Sequence, residues 1–190
     1  MARPSQTRLA VLGALSVTPM TGYAVRAAIA DTIGHFWSES FGQIYPTLTQ
    51  LEAEGLIRRT GPGGTSGAVF ALTPQGRSTL RDLLAAPIPR TPPRNGLLLR
   101  LFFGRELGVD GCRVMLTDAL ADAEHTLAAL TAIRTSSADE PPSPDQPYWL
   151  MTLSAGEHTA RAQIAWLTES LAALDAIPAT ASSDPAAQSG

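Results

Sequence analysis

The stretch GPGGTSG at residues 61–67 constrains the fold of this 190-residue chain most, because four glycines and a proline in seven positions cannot hold a helix. On one side lies Leu56–Thr60, on the other Ala68–Thr73, where Ala68, Phe70 and Leu72 alternate, so the three pieces read as a β-hairpin. What precedes the hairpin reads as helix. Residues 8–17 are a short apolar segment. TPMTGYAVRAAIADTIG (18–34) opens on a Thr/Pro/Thr capping cluster and spaces Tyr23, Ala27 and Ile29 along one apolar face, with Gly34 as its stop. Beyond the hairpin, Thr73-Pro74 supplies an N-cap and a proline at the first helical position of a helix that runs to about Ala85. Helix, helix, helix, strand, turn, strand, helix is the order of a winged helix-turn-helix, expected over residues 1–86.

The third of those helices is marked by a proline. In SFGQIYPTLTQLEAEGLIRR (40–59), Ile44, Leu48 and Leu51 share a helical face, and Pro46 sits inside that pattern. Proline in a helix interior costs roughly 3 kcal/mol, but it is tolerated in the first turn, where backbone donors have no intrahelical acceptor. A helix starting near Gln43, with Gly42 as N-cap and Gly55 as C-cap, satisfies that condition. Its start gathers Gln43, Tyr45, Pro46 and Thr47, and a helix N-terminus favours anions such as phosphate.

A second region follows PIPRTPPRNG (87–96), a proline-rich connector. The dense apolar run Leu97–Phe103 leads into Leu116, Leu120, Ala123, Leu127 and Leu130, a heptad seam. After a polar loop at 135–147 comes a second seam from Leu150 to Leu174, apolar except for Glu157. Two such helices pack antiparallel, as a dimerisation arm or as a hairpin closed on its own domain; the arm is the preferred reading. The expected architecture is mainly α with a small β-hairpin: a winged helix, then an antiparallel helical dimerisation domain over 97–177. The tail at 178–190 is expected to be disordered.

Charge separates the two regions. The chain carries −3 overall, but residues 1–90 carry +3 and residues 91–190 carry −6, and every basic residue is arginine. The positive half is the one with Pro46, as a partner rich in phosphate requires. One cysteine, Cys112, excludes an intramolecular disulfide framework and suits a reducing compartment. LAVLGALSV near the start resembles a signal-peptide core, but Pro19, Gly22 and Arg26 follow too soon. No apolar run approaches the ~20 residues of a membrane span. A cytoplasmic protein without membrane contact is expected. His35, His125 and His158 lie in separate segments without metal-ligand spacing, and neither a nucleophile motif nor a phosphate-binding glycine loop is present, so no enzyme, metal or cofactor is expected.

TPMTGYAV (18–25), FGQIYPTLTQLEAEGLI (41–57) and FALTPQGRSTL (70–80), in this order, resemble the PadR family of transcriptional regulators. The resemblance covers about residues 8–105, including LLLRLFFG (97–104), and IAWLTESLAAL (164–174) is similar to the last helix of the branch with the longer C-terminal domain. It implies a ligand-responsive repressor that binds an inverted-repeat operator in double-stranded DNA as a homodimer. The family pattern places Gln43, Tyr45, Pro46, Thr47 and Thr49 toward the DNA. Glutamine suits adenine, threonine offers a hydroxyl and a methyl, and tyrosine suits a phosphate oxygen. Arg58 and Arg59, beside the wing, are the expected phosphate anchors; the chain departs from the family in having no basic residue between Arg59 and Arg77, so the wing itself is not expected to anchor in the minor groove. For a small apolar or aromatic effector, the candidate residues are Phe102, Phe103, Trp149, Glu157 and Trp166. The competing reading, motivated by the acidic net charge, is a winged-helix protein-interaction module with weak or no DNA binding.

Overall fold

The computed structural model describes residues 6–33, 41–60, 67–88, 95–139 and 141–177. Gly34, His35 and Trp37, most of the glycine-rich loop, most of the connector and the 178–190 tail lie outside the described residues. The chain divides into two compact units, Met1–Arg90 and Thr91–Gly190.

In the first unit, helices α1 (Gln6–Val17), α2 (Gly22–Ile33), α3 (Ile44–Ala53) and α4 (Pro74–Ala85) surround a small sheet. Strand β2 (Ile57–Thr60) pairs antiparallel with β3 (Val69–Leu72), and a two-residue strand β1 (Met20–Thr21) adds to the other side of β3. In register, Met20 faces Phe70, and Ile57 faces Leu72. The sequence reading had no β1, since two residues carry no periodicity. Val11 and Leu12 of α1, Val25 and Ile29 of α2, and Leu48 and Leu51 of α3 meet in one core. Tyr23 does not join it: expected on the apolar face of α2, it is 70% exposed.

Two local stops hold α3 and α4 in place. Gly55 has φ +71°, the Leu56 N–H donates to Leu51 O at 2.9 Å and the Gly55 N–H to Glu52 O at 2.9 Å, which is a Schellman ending. The Thr73 side chain then accepts from the Gly76 N–H at 3.0 Å as the N-cap of α4, and its own N–H donates to Leu56 O at 3.0 Å. The end of α3 and the start of α4 are thus fastened through the same residue, Leu56, whose N–H closes α3 and whose carbonyl accepts from Thr73.

The second unit holds α5 (Gly96–Phe102), α6 (Gly104–Ala138) and α7 (Gln146–Asp175), with Asn95 capping α5 through the Leu98 N–H. Near its start α6 is broken at Gly108, which has φ +77°. Cys112 lies buried beyond this break and its thiol donates to Gly104 O at 3.4 Å. The two seams meet each other: Leu116 and Ala123 of α6 and Leu167 and Leu174 of α7 form the buried core of an antiparallel hairpin. The two seams therefore pack on each other within the chain. No helix among the described residues is long and apolar enough to cross a membrane.

Candidate functional site

Helix α3 continues from a 3-10 turn, Phe41–Gln43, so the chain enters it already coiled. Gln43 is its N-cap residue with helical φ/ψ and makes no side-chain cap, which leaves its amide exposed to solvent. Pro46 is the third α-helical residue, within the turn whose donors lack acceptors, so the ring breaks no hydrogen bond. Gln43, Tyr45, Pro46 and Thr49 are exposed. Thr47 is not: expected to face outward, it is buried with 9% exposure, on the same stripe as Ile44, Leu48 and Leu51. Positions 44, 47, 48 and 51 are the i, i+3, i+4, i+7 set of one helical face, and the helix geometry assigns the threonine to the core whatever its polarity.

The exposed groups have defined chemistry. The Thr49 hydroxyl donates to Tyr45 O at 3.2 Å, so toward a base it is left as an acceptor, with its methyl available to a thymine methyl. The Tyr45 ring rests on Gly22: a Cβ at that glycine would lie 2.9 Å from the ring's Cε1, closer than carbon atoms pack. The first residue of α2 therefore must be glycine for α3 to hold Tyr45 where it is.

Glu52 of α3 and Glu54, its C-cap, are neutralised. Glu52 takes a 2.8 Å ion pair from Arg59 Nε, and Glu54 accepts from Arg8 at 2.9 Å and from Gln50 at 2.9 Å. The hydrogen bond from Arg8 outweighs partial burial and holds the Glu54 carboxyl below its usual range. Of the two expected phosphate anchors, Arg58 is exposed and forms no ion pair among the described residues, whereas Arg59 is tied to Glu52 and its guanidinium lies 5.6 Å from the centre of the Phe70 ring. Adjacent arginines on one strand point to opposite faces, which is why their surroundings differ.

The five residues expected to form an effector site do not come together. Helix α6 has 35 residues, on the order of 50 Å, and α7 returns beside it, so Phe103 before α6 and Trp149 at the start of α7 stand at opposite ends of the hairpin. Trp166 packs against the hairpin core. Glu157 is buried at 6% exposure and already paired, with Arg134 Nε at 2.7 Å and Arg161 at 3.3 Å. Phe102 and Phe103 remain together as an edge-to-face pair with ring centres 5.1 Å apart. Phe103 lines an open groove of ≈ 850 Å³, with Leu99, Leu107, Val114 and Met115 as its apolar wall and Arg100, Glu106, Asp118 and Asp122 among its polar residues.

Residues 11–82 match the PadR-like family of transcriptional regulators, and residues 93–175 match the C-terminal domain of virulence activator alpha. The negative transcriptional regulator PadR of Bacillus subtilis is 30% identical over 178 residues, covering 88% of this chain and 97% of the relative. Among solved structures, the PadR-like transcriptional regulator BC1756 of Bacillus cereus superposes with a TM-score of 0.77 at 26% identity, over 90% of this chain and 98% of that one. Bacillus subtilis PadR in complex with operator DNA gives 0.73 at 28% identity, over 88% and 98%. The same protein in complex with p-coumaric acid gives 0.72 at 27% identity, over 88% and 98%. These matches are to transcriptional regulators and not to enzymes. With its winged helix, its helical C-terminal hairpin and a full-length relative at this identity, the chain belongs to the PadR-like family of transcriptional regulators.

Proposed function

We propose that this protein is a cytoplasmic, ligand-responsive repressor that binds an inverted-repeat operator as a homodimer. The observation that carries the reading is the start of α3: Gln43, Tyr45 and Pro46 stand exposed on a unit of net charge +3, while Glu52 and the C-cap Glu54 at the other end are neutralised by arginines. Such a helix enters the major groove, with Gln43 and Thr49 at base edges and Tyr45 and Arg58 at phosphates. The operator-bound structure of Bacillus subtilis PadR supports this reading over a protein-interaction module.

The dimer follows from what the second unit leaves uncovered. Leu99, Phe102 and Phe103 are 62%, 83% and 59% exposed, an apolar surface that water does not favour. A second copy seated there closes the adjoining groove into a cavity, the place expected for an apolar or aromatic effector, as the p-coumaric acid complex of Bacillus subtilis PadR suggests by analogy. An effector in that cavity acts by favouring one dimer arrangement over another.

Selection of binding sites from a random duplex pool with the full chain tests the reading. Recovery of an inverted repeat with half-sites about one helical turn apart, or a multiple of it, is the expected result. No enrichment, together with no retention on heparin, overturns it in favour of the interaction module.

A further inference from the structure

Helix α2 buries Val25 and Ile29, and Tyr23 stands away from that stripe. It is the second residue of the helix and 70% exposed, the highest value for any large apolar or aromatic side chain of the first unit's described elements. Leaving a tyrosine ring in water forgoes most of what its burial contributes, so packing does not account for this residue. Its neighbourhood does. Gly22, next to it, is the residue on which the Tyr45 ring rests, so Tyr23 and Tyr45, the latter 53% exposed, flank the point where the starts of the two helices of the helix-turn-helix meet. Arg26, one turn along α2, is exposed on the same side as Tyr23. The backbone beneath is held: Met20 and Thr21 pair with Phe70 and Val69, and the Thr21 hydroxyl accepts from the Ala24 N–H at 3.2 Å.

We infer that Tyr23 is a further DNA-backbone contact, its phenol donating a hydrogen bond to a phosphodiester oxygen bordering the groove that α3 enters, beside the contact made by Tyr45. The inference rests on the operator-binding reading and extends it from α3 to α2. In a helix-turn-helix the first helix crosses the backbone while the second lies in the groove, and tyrosine is among the side chains that reach phosphate oxygens. This contact carries particular weight in a chain with no basic residue between Arg59 and Arg77. A phenol is neutral, so it positions the protein without releasing a counterion. Gly22 is then a positioning residue, since any side chain there displaces the Tyr45 ring.

The test uses the full-length protein and the duplex recovered by selection. Tyr23→Phe removes only the hydroxyl. About tenfold weaker binding is expected, the scale of one hydrogen bond to a charged group, equal for selected and unselected duplexes, with unchanged base preference, salt dependence and thermal unfolding. A duplex series in which single phosphates are replaced by neutral methylphosphonate then locates the contact: at one backbone position per half-site, wild type and Tyr23→Phe bind equally. Affinity of Tyr23→Phe within twofold of wild type overturns the inference. So does a scan in which the difference between the two proteins persists at every position, or a loss of binding that tracks a loss of thermal stability. Failure of the wild type to select any duplex is a different result, since it removes the operator-binding reading itself.

Discussion

Arg134 Nε donates to the Glu157 carboxylate over 2.7 Å across the α6–α7 hairpin, and Arg161, one turn along α7, reaches the other carboxylate oxygen at 3.3 Å. A charged group on an otherwise apolar seam is stable only while it is paired. The Arg134 hydrogen bond is the larger influence and lowers the Glu157 pKa, outweighing the opposing effect of burial. The native value therefore lies below the unfolded one. Stability from this group is complete above the ordinary glutamate range and is lost as pH falls through the depressed native value. Thermal unfolding followed from neutral to acid pH should show this loss in the wild type and a flatter profile in Glu157→Gln, which should also melt lower at neutral pH. Parallel profiles for the two proteins would contradict the assignment.

Gly76→Ala should unfold the first unit or nearly so. A Cβ there would lie 2.0 Å from the Leu56 carbonyl oxygen, which is backbone and cannot swing away. Separating α4 from the start of β2 also strains the Thr73 bonds to Leu56, so a loss of about 3 kcal/mol or more is expected. A urea midpoint within error of wild type would show that α4 does not sit this close.

The two arginines of β2 should behave differently. Arg58→Ala should weaken all duplexes alike and reduce the salt slope by about one unit. Arg59→Ala removes a partly exposed ion pair and a contact over Phe70, so roughly 0.5 kcal/mol of stability should go. Glu52→Ala, by freeing Arg59, should tighten non-specific binding. Indistinguishable salt slopes for Arg58→Ala and wild type would remove Arg58 from the interface.

Phe102→Asp places a charge on the most exposed aromatic of the second unit, where it costs an isolated chain little. If a second copy covers that face, dimerisation should weaken by about 2 kcal/mol or more. Sedimentation equilibrium reads the change directly. An unaltered dimer would place the interface elsewhere.

The parts of this fold visible in the sequence are those written in local chemistry. Thr73-Pro74 announced α4, Gly55 ended α3, and the leucine spacing announced the hairpin, because caps, stops and seams act within a turn or two. Three features resisted. Strand β1 exists only through its pairing with Phe70 and Val69, which no window around Met20 contains. Thr47 and Tyr23 invert the usual relation between polarity and burial, so a reading by residue type misplaces both. Glu157 stood out on its seam, but the antiparallel register that delivers Arg134 to it is set by the whole length of two helices.

Strand β3 lies at the centre of the sheet and yet is its last strand in sequence, with Met20 paired to Phe70 fifty positions later. Helix α1 also packs on β3. On the ribosome, then, the first three helices emerge with no sheet to lean on, and closing so long a loop is slow until the strand that rewards it is available. The sheet can therefore be completed only once residues 69–72 have been made, and the core only once Leu80 of α4 has followed them.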